Sequence, residues 1–94
     1  MDIHIPPMKV IIEKYLKYLA VEKNASPHTI TSYRNDLNSF LTFCADQEQQ
    51  ENDLVTVQSV TRLTIRLWLG DLSDKGLAKS SIARKVATLR SFFK

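Results

Sequence analysis

The chain of 94 residues lacks several features that define other classes of protein. It has one cysteine, Cys44, so neither an intrachain disulfide nor a cysteine-rich metal cage can form. No apolar run approaches the roughly 18 residues of a membrane span. The first residues do not form a basic segment followed by an apolar one, so no signal peptide is expected. We therefore expect a cytoplasmic protein in a reducing compartment, with no membrane partner.

Acidic residues are missing from one end of the chain. Residues 45–53 carry acids and no base, whereas residues 75–94 carry six bases and no acid. The net charge of +3 is small, but its concentration at one end is typical of a surface that binds a polyanion. A solvated helix face would have the same composition. The six bases are Lys75, Lys79, Arg84, Lys85, Arg90 and Lys94.

Apolar residues at steps of three and four predict two helices in the first half of the chain. The first is expected over residues 8–22. The second is expected from Pro27 to about Ala45, because Ser26 can cap it and a proline is tolerated at the first helical position. The following residues, 46–60, are predicted to form a loop whose apolar side chains pack against the helices.

Two further helices are predicted in the second half. Thr61 is expected to cap a helix that runs to about Lys75, and Gly76 is well placed to end it. Ser80 or Ser81 is then expected to cap a fourth helix that reaches the end of the chain. Because no strand pattern or repeat is present, the chain is expected to be a single all-α domain of four amphipathic helices around one core.

The helical spacing leaves polar faces on the second and fourth helices. The outer face of the second carries uncharged hydrogen-bonding groups, and that of the fourth carries short hydroxyls and basic side chains. Arginine and hydroxyl groups suit contact with phosphates, as do the free N–H groups of two helix N-termini. These faces comprise His28, Thr31, Ser32, Asn35 and Ser39 on the second helix, and Ser80, Arg84, Thr88 and Ser91, flanked by Lys85 and Arg90, on the fourth.

Two stretches resemble the tyrosine recombinase and phage integrase family, the Xer-like group. "YLKYLAVEKNASPHTITSYRNDLNSFLTFC" resembles the family's opening helix, turn and second helix, and "IRLWLGDLSDKGLAKSSIARKVATLRSFFK" resembles its third and fourth. The resemblance covers residues 8–94. The matching positions are Ser26, Thr29, Tyr33, Asp36, Leu37 and Phe40, then Leu72, Gly76, Ser81, Ile82, Arg84, Leu89, Arg90, Phe92 and Phe93.

The resemblance implies an N-terminal core-binding domain, a SAM-like orthogonal bundle of four helices spanning residues 1–94. In the family this domain forms half of a clamp around duplex DNA, with the second and fourth helices facing the DNA and other recombinase protomers bound beside it. The catalytic domain is absent from this chain, so we expect no enzyme activity, cofactor or small-molecule substrate. Tyr15, Tyr18 and Tyr33 are not candidates for the nucleophile.

The DNA-binding candidates are not equally favoured. For Lys79 and Arg84, phosphate contact is favoured over a solubilising role. For Arg90, pairing with an acid or capping another helix is an equal alternative, and for Thr29, local capping is an equal alternative. The full set is Lys79, Ser80, Ser81, Arg84, Lys85, Thr88 and Arg90, with His28, Thr29 and Ser32.

Several other residues are expected to have structural roles and not to contact DNA. Trp68 and Cys44 are expected in the core, and Asp36 is expected to form a weak surface ion pair with Arg34 or Lys23. The acidic residues 46–53 are expected in a solvated loop turned away from DNA.

A zinc site and a protein-interaction surface are the alternatives to DNA binding. A zinc site formed by His4 and His28 is not expected, because no acid or cysteine stands at ligand spacing. The alternative function is a helical protein-interaction module, with Phe92 and Leu77 forming an exposed apolar patch that docks a partner helix.

Overall fold

The computed structural model describes residues 5–94, which form four α-helices. These are α1 (Met8–Val21), α2 (Pro27–Glu48), α3 (Arg62–Asp74) and α4 (Lys79–Phe92). Two short 3₁₀ turns, Asn52–Leu54 and Val57–Ser59, lie in the connection between α2 and α3. Over these residues the chain contains no strand. The predicted all-α bundle of four helices is therefore confirmed.

The predicted start of α2 and both predicted boundaries of α3 are confirmed. The hydroxyl of Ser26 accepts a hydrogen bond from the backbone N–H of Thr29 at 3.2 Å, and Pro27 occupies the first helical position. Thr61 and Thr64 form a reciprocal capping box at the start of α3. Gly76 follows α3 with φ +85°, a left-handed conformation that glycine adopts without steric cost.

The end of α2 differs from the prediction. The helix continues to Glu48 and ends with Gln49 in the left-handed conformation, φ 55°. Residues 46–48 are therefore helical, and only the remainder of the acidic stretch lies in the connection. Polar residues on the solvent side of a helix carry no apolar periodicity, so the sequence pattern ended before the helix did.

The predicted serine cap of α4 is wrong. The helix begins at Lys79 with Ala78 as its N-cap, and no side chain accepts a hydrogen bond from its first turn. The Leu77 N–H bonds to the Leu72 carbonyl at 3.1 Å, and the Leu77 side chain packs against the core. This anchored turn lets helical geometry begin before Ser80, so both serines lie inside the first turn.

All four helices contribute to one apolar core. Phe40 and Trp68 meet edge to face with ring centroids 5.0 Å apart, and the 3₁₀ connection adds Val55, which is fully buried. The core residues are Met8, Ile12 and Leu16 of α1, Leu37, Phe40, Leu41, Cys44 and Ala45 of α2, Val55, Trp68 and Leu72 of α3, and Leu89 of α4. The predicted burial of Trp68 and Cys44 is thus confirmed.

Burial raises the pKa of the single cysteine. Desolvation, with a smaller contribution from the charge of Glu48, raises the pKa of the Cys44 thiol to about 12.

Leu77 and Phe92, expected to form an exposed patch, are half-buried and pack against the core. Both side chains are therefore less exposed than the alternative function expected.

Candidate nucleic-acid interface

Asp36 of α2 lies at the centre of a polar cluster that joins α2 to α4. Its side chain is 1% exposed. Oδ1 accepts hydrogen bonds from Arg84 Nη2 at 3.0 Å and from Lys85 Nζ at 2.8 Å, and Oδ2 accepts one from the Thr88 hydroxyl at 3.0 Å. One buried carboxylate is thus matched by two cations and a hydroxyl, as a buried charge requires.

The prediction that Asp36 forms a surface pair with Arg34 or Lys23 is therefore wrong. Arg34 instead bonds to both carboxylate oxygens of Glu13 on α1, at 2.7 and 2.8 Å. The sequence did contain one signal for the true position of Asp36. It stands beside Leu37 and between Tyr33 and Phe40, within the apolar stripe of α2, where an unpartnered carboxylate would be costly.

Two predicted contact residues of α4 point inward. The Lys85 side chain is 13% exposed, and its ammonium group donates to Asp36. Thr88 is 1% exposed, and its hydroxyl bonds to Asp36 and lies 3.2 Å from the Arg84 carbonyl oxygen. The expectation that these two residues belong to the outer face is wrong, because the buried carboxylate draws both of them into the α2–α4 contact.

Arg84 differs from these neighbours because its side chain remains 55% exposed while one guanidinium nitrogen is held by Asp36. Ser32 precedes Asp36 by one helical turn on the same side of α2. Because residues four apart share a helix face, we expect Ser32 on the side of α2 that Arg84 contacts through Asp36. Around Ser32, a shallow open depression is lined by Pro27, His28, Thr31, Ser32 and Asn35.

Thr29, next to this depression, takes part in capping. Its backbone N–H bonds to the Ser26 hydroxyl, and its own hydroxyl lies 3.1 Å from the same atom. Of its two predicted roles, local capping is the one seen in the structure.

The first turn of α4 presents free backbone donors. Ala78 has no side-chain acceptor, so no side chain caps the N–H groups of Lys79, Ser80 and Ser81 within the described part of the chain. Lys79 and Ser80 are exposed and Ser81 is half-buried. The partial positive charge of the helix end adds to the Lys79 ammonium, which makes this turn favourable for an anion.

The later residues of α4 lie away from this group. The Ser91 hydroxyl is hydrogen-bonded to the Tyr15 phenol of α1, so it is not part of a free outer face. Arg90 is exposed and lies beside Arg62 of α3, about 120° around the helix from Arg84 at 100° per residue. The predicted pairing of Arg90 with an acid is not seen among residues 5–94.

The described residues show neither a metal-binding cluster nor a helix that could cross a membrane. In the part of the chain that the structure describes, no three His, Cys, Asp or Glu side chains are grouped closely enough to hold a metal ion. His4, one of the two histidines weighed for zinc, lies outside the described residues. None of the described helices has both the length and the apolar character needed to cross a bilayer.

Comparison with known proteins supports the family resemblance. Residues 12–94 match the family model described as phage integrase, N-terminal SAM-like domain, and the chain belongs to this family. It is 37% identical over 87 residues to a protein named tyrosine recombinase XerC from Oceanobacillus iheyensis, covering 93% of this chain and 27% of the relative. It is 40% identical over 85 residues to tyrosine recombinase XerD from Staphylococcus haemolyticus, covering 90% of this chain and 27% of the relative.

These relatives are much longer than the chain, which spans about a quarter of their length. No solved structure gives a significant match. The all-α fold agrees with the SAM-like domain that the family model describes.

Proposed function

We propose that this chain binds double-stranded DNA and acts as the N-terminal half-clamp of a site-specific tyrosine recombinase, in DNA recombination or integration. The binding surface consists of the first two turns of α2 and of α4. Its contacts come from Lys79, Ser80 and Arg84 of α4 and from His28 and Ser32 of α2. The name tyrosine recombinase, which the relatives carry, supports this role.

The single observation that carries the proposal is the position of Arg84. Asp36 holds one guanidinium nitrogen at 3.0 Å, yet more than half of the side chain stays exposed. The guanidinium group retains other N–H donors that can bind a phosphate in a fixed direction. Because Asp36 belongs to α2, the contact also joins the second turn of α4 to the middle of α2.

The charge distribution favours the same surface. The acids at the far end of α2, Asp46 and Glu48, lie about 29 and 32 Å along the helix axis from Pro27, given a rise of about 1.5 Å per residue. They are therefore well separated from the first turn of α2. A phosphate backbone at the starts of α2 and α4 would meet Lys79 and two N-terminal helix turns rather than this acidic segment.

We further propose that this chain contributes no catalytic group. Tyr15 and Tyr33 are half-buried and stack on one another with centroids 6.4 Å apart, and the Tyr15 hydroxyl bonds to Ser91. The nucleophile would then come from a longer protein, of which this chain is about a quarter if it resembles its relatives in length. On a recombination site, neighbouring recombinase protomers would be its protein partners.

Titration of the ¹⁵N-labelled domain with a duplex of mixed sequence tests the proposal. Shift changes are expected at the first turns of α2 and α4 and in the Arg84 side chain. They should weaken steeply between about 50 and 200 mM salt, because phosphate contacts release counterions. Changes confined to the outer face of α1, or binding that ignores salt, would contradict the proposal.

A further inference from the structure

A second surface lies between α3 and α4, on a different face of α4 from the one that contacts Asp36. It is an apolar groove of ≈ 470 Å³, here called the α3–α4 groove, with an arginine from each helix at its rim. Leu89 is buried at its base, and Phe93 is 38% exposed at its edge. The lining residues are Arg62, Ile65, Leu69, Val86, Leu89, Arg90 and Phe93.

The two rim arginines have no acidic partner among residues 5–94. The described ion pairs use Lys9, Arg34, Lys75, Arg84 and Lys85, and neither Arg62 nor Arg90 is among them. Both side chains belong to exposed residues. The α3–α4 groove thus combines an apolar floor with two positive charges that nothing in the described chain neutralises.

This combination decides which class of partner fits. Aliphatic and aromatic side chains are needed to cover the floor, and carboxylates are needed to pair with the rim arginines in bidentate geometry. A sugar-phosphate backbone would satisfy the arginines but would leave the apolar floor without a partner. An amphipathic helix satisfies both, because apolar side chains at i, i+3 and i+7 line one face and acids can flank them.

We propose that the α3–α4 groove docks an acidic amphipathic helix of a partner protein. Apolar side chains of that helix pack on Ile65, Leu69 and Phe93, and its carboxylates pair with Arg62 and Arg90. This proposal is independent of DNA binding, because Arg90 and Arg84 lie on different edges of α4. The same chain can therefore hold a duplex on one edge of α4 and a protein on the other.

A synthetic peptide provides the probe. It is an alanine-rich, fluorescein-labelled helix with three leucines at i, i+3 and i+7 and glutamates on both sides of that stripe. Its binding to the wild-type domain is measured by fluorescence anisotropy, and the bound surface is mapped by ¹⁵N shift changes. Two control peptides replace every glutamate with lysine, or every leucine with serine. The protein variants are Arg62→Glu/Arg90→Glu and, as a control with half the charge change, Arg66→Glu, an exposed α3 arginine outside the groove lining.

The acidic peptide should bind with shift changes along the α3–α4 groove, and both control peptides should bind more weakly. Arg62→Glu/Arg90→Glu should weaken the acidic peptide at least tenfold, roughly the effect of losing one charged pair, and should improve binding of the lysine peptide. Arg66→Glu should change affinity less than about twofold. Thermal unfolding of each variant verifies that the domain remains folded.

Three results would overturn the proposal. The first is that the acidic peptide does not bind the wild-type domain. The second is that its ¹⁵N shift changes fall outside the α3–α4 groove. The third is that Arg62→Glu/Arg90→Glu lowers affinity for duplex DNA while leaving peptide binding unchanged, which would make both arginines phosphate contacts. Failure of DNA binding at Arg84 and Lys79 would leave the peptide results unaffected, so the two proposals fail separately.

Discussion

The carboxylate of Asp36 and the guanidinium of Arg84 form an ion pair at 3.0 Å although 48 residues separate them in the chain. The two ends of this pair have opposite surroundings, since Asp36 is 1% exposed and the Arg84 side chain is 55% exposed. The contact therefore runs from the interior of the α2–α4 interface to its surface. It sets the position of Arg84, the arginine of α4 that is paired with α2.

The first prediction concerns the stability that this cluster provides. Asp36→Asn removes the negative charge that balances Lys85, whose side chain is 13% exposed. Breaking a buried pair by removing one partner should lower the free energy of unfolding by about 3 kcal/mol. Most of this cost comes from Lys85, because the more exposed Arg84 is screened by solvent. Urea denaturation at neutral pH measures the change.

Glu13→Gln is the matched control for this prediction. It makes the same change of charge in the pair with Arg34, where the side chains are 44% and 50% exposed. The expected loss is below about 1 kcal/mol. Equal losses for the two variants would show that burial of Asp36 contributes nothing beyond a surface ion pair.

The second prediction uses the missing cap of α4. Ala78→Asp supplies a side-chain acceptor and a negative charge to the free N–H groups of the first turn. The free energy of unfolding should rise by about 1 kcal/mol, while affinity for duplex DNA should fall because the carboxylate occupies and repels the phosphate position. Chemical denaturation and DNA titration are run on the same preparation. A variant that is more stable but binds DNA as tightly as wild type would exclude the first turn of α4 from the interface.

The third prediction concerns the reactivity of Cys44. Its pKa is raised from 9.0 to about 12, so at pH 8 the thiolate is scarce and the buried sulfur is not accessible. A disulfide reagent such as Ellman's should label the folded domain only through unfolding or local opening, and the denatured chain at once. Labelling of the folded protein as fast as the denatured chain would contradict the burial of this residue.

The same pKa shift gives a fourth prediction, on the pH dependence of stability. The folded state favours the neutral thiol, so the stabilisation is fully present below pH 9 and is lost as the pH rises towards 12. The difference in unfolding free energy between wild type and Cys44→Ala should therefore shrink across that interval. Taking this difference removes the titration of lysines and tyrosines, which both proteins share. A difference that stays constant to pH 12 would contradict the raised pKa.

Local sequence rules predicted most of the fold. Ser26 with Pro27, Thr61 and Gly76 each set a helix boundary through backbone geometry within a few residues, and all were found where expected. The start of α4 was not predicted correctly. Two serines were candidate caps, but the helix begins earlier, where Leu77 packs against the core. That contact depends on tertiary packing, which short-range patterns do not encode.

The candidate site was predictable only in part. That Arg84 and Ser32 share one side of the molecule is inferred from the Arg84–Asp36 contact. Helical spacing identified the polar residues of α2 and the basic character of α4. It could not show that Asp36 is buried or that Lys85 and Thr88 turn towards it, since these partners are 49 and 52 residues away. Helical spacing also could not show that Arg84 and Lys85 contact α2, whereas Arg90 lies in the groove beside α3.

The most direct test compares two variants that lose the same charge from different faces. Lys79→Gln/Arg84→Gln removes two positive charges from the proposed DNA surface, and Lys14→Gln/Lys17→Gln removes two from the exposed side of α1. Duplex affinity is measured by anisotropy at several salt concentrations. The first variant should bind at least about tenfold more weakly and reduce the salt slope by about two, while the second stays close to wild type. Equal losses in both variants would mean that net charge alone drives binding, and would contradict an interface at the starts of α2 and α4.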